Sequence, residues 1–173
     1  VVESYHREYS PSQFMNKGFS EALLKFGYLD DQSQVEEYAK RDGVESSRTV
    51  LRRAWMDTKR KSSKPEMEAA ALQITEAIKA FKPNLLFLGD DNAANYVGNQ
   101  FLDSELPVVY GINNTPVKYG LVDSPERPGH NVTGVVEIAY YADCLQLLKT
   151  LAPNVKTFAL LSDESETGRA NYK

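Results

Sequence analysis

Several features that would point directly to a function are absent from this sequence or scarce in it. The chain has one cysteine, Cys144, so an internal disulfide is impossible; a cytosol and a bacterial periplasm are both compatible with that. Cys144 lies in a helical pattern, where we expect a small core residue rather than a nucleophile. The two histidines, His6 and His130, are far apart and lack metal-ligand spacing, so we expect neither a metal site nor a cofactor.

Excess positive charge and long apolar runs are also missing. The formal net charge is -4 and the pI is about 5.3, which argues against nucleic acid as a partner. No apolar run approaches the roughly 18 residues of a membrane span, and no signal peptide is visible. Since the sequence begins inside an apparent strand, we expect upstream residues that have been removed or are not shown. Walker, dinucleotide-binding and nucleophile-elbow motifs do not occur.

Three apolar runs, each followed by a small polar cluster, are the most informative pattern that is present. The runs with their clusters are Val1-Val2 with Ser4-Tyr5-His6, Leu85-Leu86-Phe87-Leu88 with Gly89-Asp90-Asp91-Asn92, and Val108-Val109-Tyr110 with Gly111-Ile112-Asn113-Asn114. Helical patterns separate the runs, which predicts parallel strands. Their carboxyl ends would then meet at one edge of a sheet, which is where open α/β sheets bind ligands.

The remaining patterns complete an α/β fold, a Rossmann-like parallel sheet with helices on both faces. A first helix is expected after the N-cap Ser10, with Pro11 in its first turn, Gln13 in a capping box, and Phe14, Phe19, Leu23 and Phe26 apolar. A second begins at Ser63 and presents Met67, Ala70, Ala71, Ile74, Ile78 and Phe81. Asp91 is the expected N-cap of a shorter helix. Further strands are expected over 50–56, 131–138 and 157–161, and a helix over 140–151.

A run of motifs late in the chain resembles a known family. The motifs are Arg127-Pro128-Gly129-His130-Asn131-Val132-Thr133-Gly134-Val135, Leu147-Leu148-Lys149, Leu151-Ala152-Pro153-Asn154-Val155-Lys156-Thr157 and Asp163-Glu164-Ser165. Their order resembles the ABC-transporter substrate-binding family of the tryptophan/tyrosine type, with the type 1 periplasmic-binding fold. Ser4-Tyr5-His6 with Tyr9 and Ser12, and Trp55-Met56-Asp57-Thr58, resemble a subgroup that also occurs as sensor modules of bacterial signalling proteins.

The resemblance implies two α/β lobes with a small ligand between them. Residues 1–138 would form the first lobe and the first crossover, and residues 139–173 the beginning of a truncated second lobe. The implied function is that of an extracytoplasmic solute-binding protein, not an enzyme, which captures an amino acid-like molecule in the interlobe cleft. It would work with an ABC-transporter permease at the periplasmic or extracellular face of a bacterial membrane. The alternative is a ligand-binding sensor domain that acts on a signalling partner.

The candidate ligand-binding residues are Ser4, Tyr5, His6, Asp90, Asp91, Asn92, Asn113 and Glu137. Ser4, Tyr5 and His6 could hold a ligand, or form a turn that satisfies its own backbone. Asp90 could pair with a ligand amine, whereas Asp91 could contact the ligand or serve as a helix cap, of which capping is the favoured role. The strand-end position of Asn113 favours it over Asn114, although Asn is common in turns. Glu137, on or beside the crossover, could bind an amine or brace the hinge.

Two other clusters carry weaker hypotheses. Ser4, His6 and Asp90 could be read as a hydrolase triad, which we rank below ligand binding. Lys59-Arg60-Lys61 is basic, and a solvated loop is the expected structure. Trp55 is expected in the core rather than in a pocket wall. The cluster Ser162-Asp163-Glu164-Ser165 would follow the strand expected over 157–161, repeat the apolar-to-polar pattern a fourth time and begin the facing wall of the cleft.

Overall fold

The computed structural model describes residues 1–112, 116–137, 140–159 and 161–162. In chain order, the strands are β1 (Val2–Glu3), β2 (Gly43–Glu45), β3 (Val50–Arg52), β4 (Ala54–Trp55), β5 (Leu86–Gly89), β6 (Val108–Ile112) and β7 (Val132–Val136). The α-helices are α1 (Ser10–Lys25), α2 (Gln32–Lys40), α3 (Lys64–Phe81), α4 (Asp90–Asn92) and α5 (Tyr141–Leu151). A π-helical turn, Ala93–Val97, and a 3-10 turn, Gly98–Phe101, continue α4, and another 3-10 turn covers Pro116–Tyr119.

The main sheet has five strands in the order β4-β1-β5-β6-β7, and every neighbouring pair is parallel. The parallel sheet that the sequence predicts is therefore confirmed, and the carboxyl ends of its strands lie along one edge. β2 and β3 pair antiparallel in a separate two-stranded sheet. The strand expected over 50–56 is divided between the two sheets, because the chain leaves β3 and joins β1 through β4 immediately after Arg53.

Helices cover both faces of the sheet, as expected, and the alternation along β5 explains why. Leu86 and Leu88 belong to the larger core cluster, which also contains Ile74 and Ile78 of α3. Phe87 points the other way and stacks on Phe19 of α1, with ring centroids 4.6 Å apart. Since successive side chains of a strand point to opposite faces, this alternation places α1 and α3 on opposite sides. A second cluster lies around α2, β2 and β3 (Leu29, Val35, Tyr38, Val44 and Leu51).

The start and the buried face of α1 differ from the prediction. Tyr9, not Ser10, is the N-cap, and the buried residues are Ser12, Asn16 and Ser20. Phe14 is 74 % exposed and Phe26 is 66 % exposed, so the predicted apolar stripe is wrong at both positions. The physical reason is a buried carboxyl on β1, that of Glu3. Asn16 donates a hydrogen bond of 2.8 Å to it, which selects a polar helix face.

Several smaller expectations also failed. Phe81 is 45 % exposed because it is the last residue of α3 and lies past the buried stripe, which ends at Ile78. Cys144 is exposed rather than a core residue, since α5 buries none of its side chains. Residues 157–159, where a strand was expected, are not in a strand. The predicted start of α3 at Ser63 is confirmed, and the Glu66 carboxylate there accepts from the N–H of Ser63 (3.1 Å) and from its hydroxyl (2.6 Å).

Candidate ligand site at the carboxyl edge of the sheet

The loops that follow β1, β4 and β5 are joined by a set of buried hydrogen bonds centred on Ser4. Its hydroxyl donates to the carbonyl of Gly89 (2.9 Å) and accepts from the N–H of Ala93 (2.8 Å). The Ser4 carbonyl accepts from the N–H and the hydroxyl of Thr58, at 3.0 and 2.8 Å. Ser4 therefore fixes the relative positions of three loops. A direct ligand contact from its hydroxyl stays a prediction.

Asn92 lies behind this junction and leaves one polar atom unsatisfied. Its amide nitrogen donates to the Thr58 hydroxyl at 2.8 Å. Its oxygen, Oδ1, is buried and has no hydrogen-bond partner in the part of the chain that the structure describes. A buried acceptor is normally paired with protein, water or ligand. Asn92 can therefore accept a hydrogen bond from an N–H group that enters the site.

Asp90 is a buried carboxyl group of the site. It is 5 % exposed, and its backbone has a φ of 71°, in the left-handed region that favours Gly, Asn and Asp. Its Oδ1 accepts from the N–H of Asp91 (2.6 Å) and from the Tyr5 hydroxyl (3.4 Å). Burial raises the pKa of Asp90 to about 6, and the charge of Asp91 contributes to this increase. The hydrogen bonds from the Asp91 N–H and the Tyr5 hydroxyl and the charge of Lys59 act in the opposite direction. Asp90 is thus a carboxyl group whose ionisation a ligand cation would favour.

Aromatic rings and a lysine form the outer part of the site. The rings of Tyr5 and Tyr9 meet edge to face with centroids 4.6 Å apart, and Tyr5 is buried. Lys59 Nζ lies 4.9 Å from the Tyr5 centroid and 5.4 Å from that of Tyr9. His6 is part-exposed, and its Nδ1 is 3.0 Å from Glu8 Oε2. The site therefore changes from buried hydrogen bonds at its base to part-exposed rings and a cation at its rim.

The structure brings most of the predicted site residues together. Those at or beside the junction are Ser4, Tyr5, His6, Asp90, Asp91 and Asn92. Asp91 is fully buried, and its predicted role as N-cap is wrong, because the helix already begins at Asp90 and Gly89 occupies the cap position. The N–H groups of Asp91 and Ala93 are instead satisfied by Asp90 and Ser4.

Of the other two predicted residues, the structure describes Glu137. Glu137 is exposed, and its N–H donates to the carbonyl of Ile112 at 2.8 Å. This hydrogen bond places Glu137 at the carboxyl end of β6, on the same edge of the sheet. Asn113 lies outside the described residues, as do Asp163, Glu164 and Ser165 of the fourth polar cluster.

Sequence reasoning missed Thr58, Lys59 and Tyr9. Lys59 was expected in a solvated loop, but it is part-buried against two rings. The strand predicted over 50–56 could have indicated these residues. If that strand is parallel to β1, the residues that follow it lie at the same carboxyl edge of the sheet. The hydrolase hypothesis gains no geometric support, because the Ser4 hydroxyl bonds to Gly89 and Ala93 while His6 contacts Glu8.

A second carboxyl group lies directly beneath the site, on β1. Glu3 is fully buried; its Oε1 accepts from Asn16 at 2.8 Å, and its Oε2 has no hydrogen-bond partner among the described residues. Burial raises the pKa of Glu3 to about 7, although the hydrogen bonds from Asn16 and Ser12 and the charge of Arg53 oppose the change. A Cβ at Gly89 would lie 2.5 Å from Glu3 Oε2, so glycine allows the end of β5 to pass this carboxyl group.

Within the described ranges, no group of three or more His, Cys, Asp or Glu residues could hold a metal ion. None of the helices described there combines the length and the apolar character needed to cross a bilayer.

Comparison with known proteins gives consistent matches. The family described as ABC transporter substrate binding protein matches residues 35–171. A tyrosine-binding protein of Clostridioides difficile (strain R20291) is 36 % identical over 62 residues, which are 36 % of this chain and 18 % of that protein.

Two solved structures share the fold. One is an ABC domain in complex with L-Trp from Streptococcus pneumonia (TM-score 0.68, 24 % identity, 99 % of this chain and 49 % of that one). The other is the ligand-free, open structure of CD0873, a substrate binding protein with adhesive properties from Clostridium difficile (TM-score 0.62, 21 % identity, 88 % of this chain and 43 % of that one). The chain thus spans about half the length of the solved structures it matches.

Proposed function

Because the chain belongs to the ABC transporter substrate-binding protein family, we propose that it is an extracytoplasmic protein that captures an amino acid-like molecule for an ABC transporter. The observation that carries this proposal is the contact between the Tyr5 hydroxyl and the buried Asp90 carboxylate, at 3.4 Å, where the ends of β1 and β5 meet. The L-Trp and tyrosine named for the similar proteins make aromatic amino acids the first candidates.

The chemistry of the site suits the amino group of such a ligand. Asp90 offers a carboxylate oriented by Tyr5, and Asn92 offers an unsatisfied amide oxygen nearby. An ammonium group carries three N–H donors, which matches acceptors of this kind. His6, Asn113 and Glu137 are proposed as further contacts. The bond to Asp90 is charge-assisted, and such bonds are about twice as strong as neutral ones.

The proposed cleft has this edge as one of its walls. Residues 1–138 form a first lobe, and a second lobe that begins at residue 139 supplies the facing wall. A ligand closes the two lobes only if it contacts both, because it shifts the open–closed equilibrium by its difference in affinity. The closed form is the one that a membrane permease would recognise.

Isothermal titration of the full-length protein with L-tyrosine, L-tryptophan and a panel of other amino acids tests the proposal. Asp90→Asn should weaken binding about 10- to 100-fold, the usual effect of losing one charge-assisted hydrogen bond. Asn keeps the acceptor oxygen and tolerates the φ of 71°, so the variant removes the charge and little else.

The matched control is Glu105→Gln, which removes one negative charge from an exposed position. It should bind the ligand with unchanged affinity. Binding of no member of the panel, or equal affinities for wild type and Asp90→Asn, would overturn the proposal.

A further inference from the structure

We propose that Lys59 recognises the carboxylate of the ligand, so that the site selects zwitterionic amino acids over the corresponding amides and amines. This assignment rests on the proposed function and deepens it, because it names the chemical class of ligand that the site accepts. It gives a role to a residue whose sequence context indicates only a solvated loop.

The sheet topology brings Lys59 to the ligand edge. β4 is parallel to β1, with Ala54 opposite Val2 and Trp55 opposite Glu3, so the residues after β4 leave the sheet beside Ser4 and Tyr5. The N–H of Asp57 donates to the carbonyl of Tyr5 at 3.2 Å. Thr58 then bonds through both its N–H and its hydroxyl to the Ser4 carbonyl. The backbone on the N-terminal side of Lys59 is therefore fixed to the loop after β1.

The side chain of Lys59 and the carboxyl group of Asp90 contact the same tyrosine. Lys59 Nζ is 4.9 Å from the ring centroid of Tyr5, and the hydroxyl of that ring contacts Asp90 at 3.4 Å. One tyrosine thus contacts both a cation and a buried carboxyl group. The charge of Lys59 is also among the influences that lower the pKa of Asp90, which agrees with their proximity.

Two opposite charges held on one rigid ring match the charges of a zwitterion. In an amino acid, the ammonium and the carboxylate are attached to the same carbon atom, so both charges can be satisfied only by a closely spaced pair. A lysine ammonium is a compact point charge with rotatable donors, which can bind a carboxylate without the fixed fork of arginine. Tyr5 and Tyr9 hold that charge over their faces and limit the freedom of the flexible side chain.

The neighbouring basic residues lack this placement. Arg60 is exposed and lies 3.5 Å from Glu8 and 3.8 Å from Asp57. Lys61 is also exposed. Lys59 is the member of the basic triplet that combines partial burial with contacts to two site rings, and Lys61 provides a matched control from the same loop.

The test compares L-tyrosine with L-tyrosinamide by isothermal titration of the full-length protein. In wild type, the acid should bind at least about tenfold more tightly than the amide, which has lost the carboxylate charge. Lys59→Gln should lower the affinity for the acid about tenfold and change the affinity for the amide less than about twofold. The preference for the acid then disappears. Lys61→Gln should leave both affinities unchanged.

A measurement without ligand complements the titration. Carboxyl-carbon NMR of the wild type should give Asp90 a pKa of about 6, and Lys59→Gln should raise this pKa while Lys61→Gln should not. An equal loss of affinity for acid and amide in Lys59→Gln would indicate a purely structural role and would overturn the assignment. An unchanged preference, or an unchanged Asp90 pKa, would also overturn it. Failure of the wild type to bind any amino acid would instead overturn the proposed function.

Discussion

Replacing Glu3 by Gln should stabilise the protein at neutral and alkaline pH and remove part of its pH dependence. Burial raises the pKa of Glu3 from its ordinary value of 4.5 to about 7. A difference of 2.5 units between these two values corresponds to about 3 kcal/mol in the free energy of unfolding, at about 1.4 kcal/mol per unit. Gln resembles the neutral carboxyl group in shape and keeps an oxygen that can accept from Asn16.

The sign of the effect follows from proton binding. Between pH 4.5 and about 7 the folded protein keeps the Glu3 proton, whereas the unfolded chain has released it. The free energy of unfolding therefore contains a contribution that is fully present below pH 4.5 and is lost as the pH rises through 7. The Gln variant lacks this loss, so the difference between variant and wild type should grow with pH and level off above pH 8 at about 3 kcal/mol.

Urea unfolding at several pH values between 4 and 8.5 measures this difference. Fluorescence of Trp55, the one tryptophan, reports the transition from β4, where its Nε1 donates to Asp42 at 2.7 Å. Glu105→Gln, on the surface, should follow the wild-type curve. Asp90 is present in both proteins, and its charge is one of the influences that raise the pKa of Glu3, so the comparison reports the two carboxyl groups together. A Glu3→Gln variant that is less stable than wild type at pH 8, or a difference that does not change with pH, would refute the reasoning.

Two further predictions concern the site and the sheet. Ligand affinity should fall about tenfold per unit as the pH drops below about 6, because Asp90 must be ionised to bind an ammonium group, and titration calorimetry of Asp90→Asn should show no such dependence. A flat wild-type profile would contradict this. Gly134→Ala should destabilise the fold by about 1–3 kcal/mol in urea unfolding, since its Cβ would lie 2.2 Å from the Tyr110 carbonyl oxygen on β6. Gly18→Ala, in the open on α1, should be neutral or stabilising by up to about 1 kcal/mol; equal effects of the two changes would contradict the packing argument.

The sheet could be predicted because each of its main strands carries a strong local signal. Leu86, Leu88 and the residues around Val108 form apolar runs bounded by turn residues and separated by helices, and this alternation dictates parallel strands. The edge site followed from the same logic, since polar clusters after parallel strands must meet. Ser4, Tyr5 and Asp90 could therefore be placed together before any coordinates were known.

The failures share a different cause: they depend on contacts distant in sequence. The buried face of α1 is polar because Asn16 contacts the Glu3 carboxyl group, and no local sequence pattern predicts that this carboxyl group is buried. Ser4 caps a helix that begins 86 residues later along the chain, at Asp90, so the capping rule misassigned Asp91. Lys59 was expected in a solvated loop because β4, the strand that places it at the edge of the sheet, has only two residues.

A crystal structure of the full-length protein with L-tyrosine or L-tryptophan would test the central claim most directly. The account predicts the ligand at the carboxyl edge of β1 and β5, with its ammonium group within hydrogen-bonding distance of Asp90 and Asn92 and its carboxylate beside Lys59. A ligand bound elsewhere, for example in the open charged depression lined by Glu37, Arg41 and Asp42, would contradict it. So would a ligand at this edge whose ammonium group lies away from Asp90.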